Sequence, residues 1–154
     1  MGLMSHSGSS EIERTFADGE IIFREGDESR EMFIIQEGEV VITKQAGNRE
    51  IVLARLARGE FIGEMALLES LPRIGTAKAV GRVNVVVLHS GSFLRKLRRD
   101  PAFAFEMMQK LSGRFRLLHN QVMQIMAALD ESDPVRRRLV TLLEVGSGGA
   151  GGGR

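Results

Sequence analysis

Gly63, Glu64 and Arg73 are the residues of this chain whose types and spacing can hold a sugar phosphate. They sit in the segment Phe61-Ile-Gly-Glu-Met-Ala-Leu-Leu-Glu-Ser-Leu-Pro-Arg-Ile-Gly-Thr-Ala-Lys-Ala79. Gly59 and Gly63 flank a bend, and 64–69 is a good helix former of little more than one turn. A helix start after a glycine offers free backbone amides and a positive dipole end, which suits an anion. Arg73 adds a planar fork matched to phosphate oxygens. Glu64 is acceptor-only and can take a sugar hydroxyl. The same spacing also describes a surface Glu64–Arg73 ion pair bracketing a loop, and spacing alone does not separate the two readings.

Other chemistries lack their residues. There is no Cys, which excludes disulfides, thiolate catalysis and Cys-ligated zinc. The three histidines, His6, His89 and His119, are far apart and form no helical metal pair. Neither a G-x-S-x-G elbow nor a P-loop occurs. A non-enzyme without a metal is therefore expected. The formal charge is +1, from 21 basic and 20 acidic residues, so bulk charge does not call for nucleic acid. No apolar run of about 18 residues exists, and residues 1–10 lack the apolar stretch of a signal peptide. Myristoylation wants Ser or Thr where His6 stands. A cytoplasmic protein with no membrane contact is the expectation.

The elements around the candidate site change character along the chain. At 154 residues and 43% hydrophobic content, a core is within reach without staples. Glycines recur through the first ninety or so residues and punctuate short Val/Ile-rich segments at 20–24, 31–36, 39–44, 50–56, 76–80 and 82–89. That punctuation predicts an antiparallel sandwich or barrel. Ala46-Gly47-Asn48 reads as a hairpin turn. Ser90 is the expected cap of a helix through Phe93, Leu94 and Leu97. Asp100-Pro101 restarts it, with Asp as cap and Pro at the first helical position.

From there Ala104, Met108, Leu111, Phe115, Leu118, Val122, Ile125 and Leu129 step alternately by four and three, which is a heptad seam. Over about 26 residues such a helix runs roughly 39 Å. A β-domain of this size covers one end of it, so a parallel pair between two chains is expected over packing on its own domain. Asp133-Pro134 opens a short helix, followed by a Gly-rich tail. The expected organisation is an arm at 1–12, a β-roll with short helices at 13–99, a long helix at 100–131, a short helix at 132–145 and a tail at 146–154.

With these motifs in register, the chain from Phe16 to about Leu129 resembles the cyclic nucleotide-binding domain superfamily of the cAMP receptor protein and the regulatory subunit of protein kinase A. Phe16-x-x-Gly19-Glu20, Glu25-Gly26-Asp27 and Met32-Phe33-Ile34-Ile35-x-x-Gly38-x-Val40 match its first turns and hairpin. Gly59 through Leu68, and Pro72-Arg73-x-Gly75-Thr76-x-x-Ala79, match its phosphate-binding cassette. The resemblance implies a mainly β fold: an eight-stranded antiparallel β-roll, jelly-roll-like, flanked by helices, with a long C-terminal helix that dimerises and caps the purine. It implies that Glu64 accepts from the ribose 2′-hydroxyl and that Arg73 pairs with the cyclic phosphate. Amides at Met65, Ala66 and near Ile74 would cradle phosphate oxygens, and Gly63 would admit the ribose.

Departures from the pattern bear on the base. The residue after the arginine is often Ser or Thr where cGMP is preferred, and here it is Ile74. Gly75 replaces a usual Ala, which predicts a looser strand entry. The Thr-Ser pair that reaches adenine in bacterial members becomes Leu118 and His119. cAMP is therefore expected ahead of cGMP. Bacterial members continue into a winged helix-turn-helix, of which 134–145 can supply only the first helix. Arg136, Arg137 and Arg138 read as a solvated face, and DNA is not expected as a partner of this chain alone. The expected function is a cyclic-nucleotide sensor that signals through a homodimer over 104–129 to an effector no motif identifies. The alternatives are a truncated receptor-type transcriptional regulator and a nucleotide-independent dimerisation scaffold.

Overall fold

The computed structural model describes residues 11–147, with side chains described through Glu144. The residues fall into two compact units that divide between Glu106 and Met107. The expected arm through residue 10 and the tail beyond Ser147 lie outside the described residues.

The described residues of the first unit hold an antiparallel sheet of six strands: β1 (Ile12–Phe16), β2 (Ile21–Phe23), β3 (Met32–Ala46), β4 (Arg49–Ala57), β5 (Phe61–Ile62) and β6 (Thr76–Leu88). The path runs β1-β6-β3-β4, with β2 also on β6 and β5 also on β3. Six strands stand where eight were expected, two of them, β3 and β6, being long and continuous. The register between these two shifts twice between Ile35 and Glu39. Gly38 (φ 90°) and Gly81 (φ 67°) lie in that irregular stretch. At Gly38 a side chain is impossible, since a Cβ there would overlap the Arg82 carbonyl oxygen. The Gly47-Asn48 hairpin joins β3 to β4 as expected, Ala46 facing Arg49. Strand β1 was not foreseen. Ile12, assigned to the arm, instead pairs with Val87.

Alternation along the sheet sends one face into a core of Phe16, Phe23, Phe33, Ile35, Val40, Ile62, Val83, Val85 and Val87, with the small Ala77 and Ala79 beside them. Phe23 and Phe33 stack with ring centroids 6.0 Å apart.

Among the described residues there are also four helices. The first, α1 (Glu64–Glu69), follows β5; α2 (Ser90–Arg99) follows β6. The cap of α2 is His89 rather than the expected Ser90. Its amide donates to Ser92 Oγ at 2.9 Å, and that hydroxyl returns a bond to the His89 carbonyl at 2.9 Å. Lys96, Arg98 and Arg99 fill the last turn, where the helix dipole favours cations. In α3 (Pro101–Ala128) the expected start holds: Asp100 Oδ1 accepts from the Phe103 amide at 3.0 Å and Pro101 opens the helix. Phe93 and Phe103 meet edge to face at 6.4 Å.

The second unit holds the rest of α3 and α4 (Pro134–Ser147). Helix α4 continues through Gly146 and Ser147, which were expected in the tail. Arg136 Nη1 donates to the Leu129 carbonyl at 3.1 Å and Arg137 Nη2 to that of Ser132 at 2.8 Å. Two of the three consecutive arginines thus brace the α3–α4 turn. Along the heptad seam Met108 (59% exposed), Phe115 (72%), Leu118 (60%) and Ile125 (52%) stand in the open, while Leu111, Val122 and Leu129 are half-buried. Among the described residues no helix is long and apolar enough to cross a membrane.

Candidate functional site

The candidate site is built where β5, α1 and the loop before β6 meet the loop between β2 and β3. Gly63 ends β5 in the left-handed region (φ 81°, ψ 9°) and caps α1 with no side chain. Glycine is needed there twice over. A left-handed backbone disfavours any Cβ, and one placed here would lie 2.5 Å from Arg73 Nη1 and 2.8 Å from the Glu31 carbonyl oxygen. Glu64 opens α1 and is half-buried, Met65 is 41% exposed, and Ala66 is buried. The expected six-residue helix 64–69 is present, closed by Ser70 in the left-handed region (φ 57°).

Arg73 is the organising residue. Its backbone is clamped to the β2–β3 loop: its amide donates to the Asp27 carbonyl at 2.9 Å, and its carbonyl accepts from the Gly26 amide at 2.8 Å. Its side chain is only 3% exposed. Nε donates to Ser29 Oγ at 3.1 Å, Nη1 to the Gly63 carbonyl at 3.0 Å and Nη2 to the Glu31 carbonyl at 2.7 Å. The guanidinium lies over the Phe23 ring, 4.2 Å from its centroid, and 5.9 Å from that of Phe33. These three acceptors are neutral oxygens. The Glu31 carboxylate turns instead to Arg14 Nη2 at 3.5 Å and His89 Nδ1 at 3.7 Å. Burial pushes the guanidinium below its ordinary pKa, and the charges of Glu31, Asp27 and Glu64 pull it back up. It keeps its proton at neutral pH. The result is a buried cation with desolvation only partly offset, which is the electrostatic condition for attracting an anion.

Ile74 is 46% exposed next to this cation. Gly75 does not loosen the strand entry as expected. It is buried, and a Cβ on it would come within 2.7 Å of the Thr43 carbonyl oxygen, so the glycine allows close strand packing. Six expected residues, Gly63, Glu64, Met65, Ala66, Arg73 and Ile74, thus belong to one segment of the first unit. Leu118 and His119 belong to the second unit, both exposed on α3, where the His119 ring stacks on Phe115 at 6.5 Å between centroids. Ser29, Phe23 and the Glu31 carbonyl went unforeseen. Glu25-Gly26-Asp27 marked the loop that carries Ser29 and Glu31, but no motif tied it to Arg73. No group of three or more His, Cys, Asp or Glu among the described residues can hold a metal ion.

A buried arginine in a glycine-framed cassette on an antiparallel roll defines a class, and comparison with known proteins gives it a name. Residues 13–100 match the family model described as "Cyclic nucleotide-binding domain", and the chain belongs to that family. The cAMP-dependent protein kinase regulatory subunit of Mycosarcoma maydis is 36% identical over 54% of this chain and 17% of its own length. The Cyclic AMP receptor protein of Thermus thermophilus is 32% identical over 67% of this chain and 48% of its own. The crystal structure of the Thermus thermophilus Catabolite Activator Protein superposes with a TM-score of 0.68 at 28% identity, covering 75% of this chain and 55% of that one. The chain therefore spans less than half the length of either of these two relatives. The antiparallel roll and the long helix after it are those of the family fold.

Proposed function

We propose that this chain is a cyclic-nucleotide sensor module that binds cAMP at the cassette and reports its state through a helix-mediated homodimer. The observation that carries the reading is the buried Arg73 guanidinium seated on neutral oxygens. A cation so placed gains from an incoming phosphate what it lost in leaving water. In this reading Arg73 binds the cyclic phosphate, the amides of Met65 and Ala66 and those near Ile74 take its oxygens, Gly63 gives the ribose room, and Glu64 accepts from the 2′-hydroxyl. For the base, the resemblance points to Leu118 and His119 of α3. Two of the relatives are named for cAMP, which supports that ligand ahead of cGMP. The exposed seam of α3 supports a second copy as the partner. Arg136 and Arg137, bonded to turn carbonyls, support a role other than DNA contact.

A thermal-shift series with cAMP, cGMP and linear AMP tests the ligand. A ligand at a hundred times its Kd stabilises the folded state by about 2.7 kcal/mol. For a chain of this size that corresponds to roughly 5–10 °C. The expected order is cAMP above cGMP, with linear AMP giving little. No shift with either cyclic nucleotide at millimolar concentration, or a linear AMP shift equal to that of cAMP, would refute the reading.

A further inference from the structure

We infer that Ser29 is a positioning residue for the anion site, holding Arg73 in place without cancelling its charge; the inference rests on the reading of Arg73 as the phosphate-binding group. The β2–β3 loop is rich in carboxylates: Glu25, Asp27, Glu28 and Glu31 fall within seven positions. Yet the side chain that reaches Arg73 Nε is the one hydroxyl among them, at 3.1 Å. Three of the acids have other work. Glu25 takes Lys44 Nζ at 3.7 Å and the Gln45 amide at 3.1 Å. Asp27 Oδ2 accepts from the Arg24 amide at 2.9 Å. The Glu31 carboxylate takes Arg14 and His89.

A hydroxyl can accept from a guanidinium while adding no formal charge. A carboxylate in its place would hold Arg73 more firmly and also neutralise it, so the incoming phosphate would have to displace an ion pair. Without any acceptor, Nε–H loses its partner and the long side chain regains rotamer freedom that binding must then remove. Ser29 is the compromise between these two failures. It is also separable from the fold. The residue is exposed, and its loop is already set by the Arg24–Asp27 turn and by the backbone pairing of Gly26 and Asp27 with Arg73.

The test is calorimetry with cAMP on the whole 154-residue chain. It compares wild type with Ser29→Ala, Ser29→Thr and Ser29→Asp, with a thermal melt of each. Ser29→Ala should bind about three- to tenfold more weakly, and Ser29→Thr, which keeps the hydroxyl, should stay within about twofold of wild type. Ser29→Asp should bind more weakly than Ser29→Ala, although it offers Arg73 the stronger partner. In an Arg73→Lys background, which has no Nε donor, Ser29→Ala should change nothing further. Wild-type affinity in Ser29→Ala, a Thr variant as weak as Ala, an Asp variant tighter than Ala, or an undiminished Ser29→Ala effect in the Lys background would each overturn the role of Ser29. Each would leave the phosphate reading standing so long as Arg73→Ala itself loses affinity. A wild type that binds no cyclic nucleotide would remove both.

Discussion

Replacing Arg73 by Ala separates the anion site from the fold that carries it. The guanidinium makes three hydrogen bonds to neutral oxygens and covers the Phe23 ring at 4.2 Å. Truncation leaves the Gly63 and Glu31 carbonyls short of a donor, at about 1–3 kcal/mol each if water is kept out. Part of that loss is returned. Burial lowers the pKa of Arg73, so the folded state already carries a desolvation cost for the charged form, and the cost disappears with the side chain. The sign is that of a base disfavoured in its protonated state. Because arginine stays protonated, the cost is present throughout the neutral range, and no pH dependence from Arg73 is expected there. The backbone bonds of Arg73 to Gly26 and Asp27 survive any substitution but Pro, so the loop stays in place and the protein folds. Binding has no such compensation. One charge-assisted bond to a phosphate oxygen is worth about 1.5–3 kcal/mol. With about 1.4 kcal/mol to each tenfold in affinity, losing one bond costs at least tenfold and losing a fork of two about a hundredfold or more. Calorimetric titration with cAMP, beside a urea melt, measures both quantities. Superimposable titrations of wild type and variant would refute the assignment, and Arg73→Lys, keeping charge without the fork, should fall between them.

Ile74→Thr should narrow the gap between cAMP and cGMP, because it adds a hydroxyl that can reach a guanine amino group where Ile74 offers none; competition with both nucleotides measures it, and cGMP binding equal to or tighter than cAMP in wild type would defeat the premise. Gly63→Ala should destabilise the fold by about 1–3 kcal/mol and weaken cAMP binding as well, since φ 81° is strained for Ala and its Cβ would crowd Arg73 Nη1; an unchanged denaturation midpoint would contradict this. Val122→Asp places a charge in the α3 seam and should turn a sedimenting dimer into a monomer at micromolar concentration; a wild type already monomeric, or a variant still dimeric, would dismiss the seam as the interface.

What could be read before the fold was known follows local physics. Segments whose signal is a period or a capping pair came through: the Gly47-Asn48 hairpin, the Asp100-Pro101 helix start, the six residues of α1. Features that depend on residues distant in the chain did not. Strand β1 is short and polar on its exposed side, and only its pairing with Val83 through Val87 makes it a strand. The cap of α2 fell on His89 because the Ser92 hydroxyl bonds back to it, which outweighed the intrinsic preference for Ser90. Gly75 looked permissive in isolation, but across the sheet it faces the Thr43 carbonyl, where no side chain fits. At the site, the glycine-carboxylate-arginine spacing marked the segment in which Arg73 Nη1 meets the Gly63 carbonyl. That Arg73 is buried, and that Ser29 and Glu31 hold it from some forty residues earlier in the chain, comes only from the closure of the roll.

That closure also separates the groups proposed to give affinity from those proposed to give selectivity. Arg73 and Ala66 are buried, and Gly63 is fixed by a backbone conformation and a contact distance that leave no room for a side chain. The phosphate would meet a cation and backbone amides whose geometry depends on the core beneath them. Ile74 and Met65, by contrast, are more than two-fifths exposed, and Leu118 and His119 lie exposed on α3. Substituting an exposed side chain disturbs few neighbours, whereas substituting a buried one alters packing throughout the roll. Under the proposed function, a cassette built this way would retain its hold on a cyclic phosphate while the preference for one purine or another drifts. The departures from the family pattern at Ile74, Leu118 and His119 fall on that exposed set. The charge that would bind the phosphate, with the glycine packed against it, falls on the set the fold cannot release.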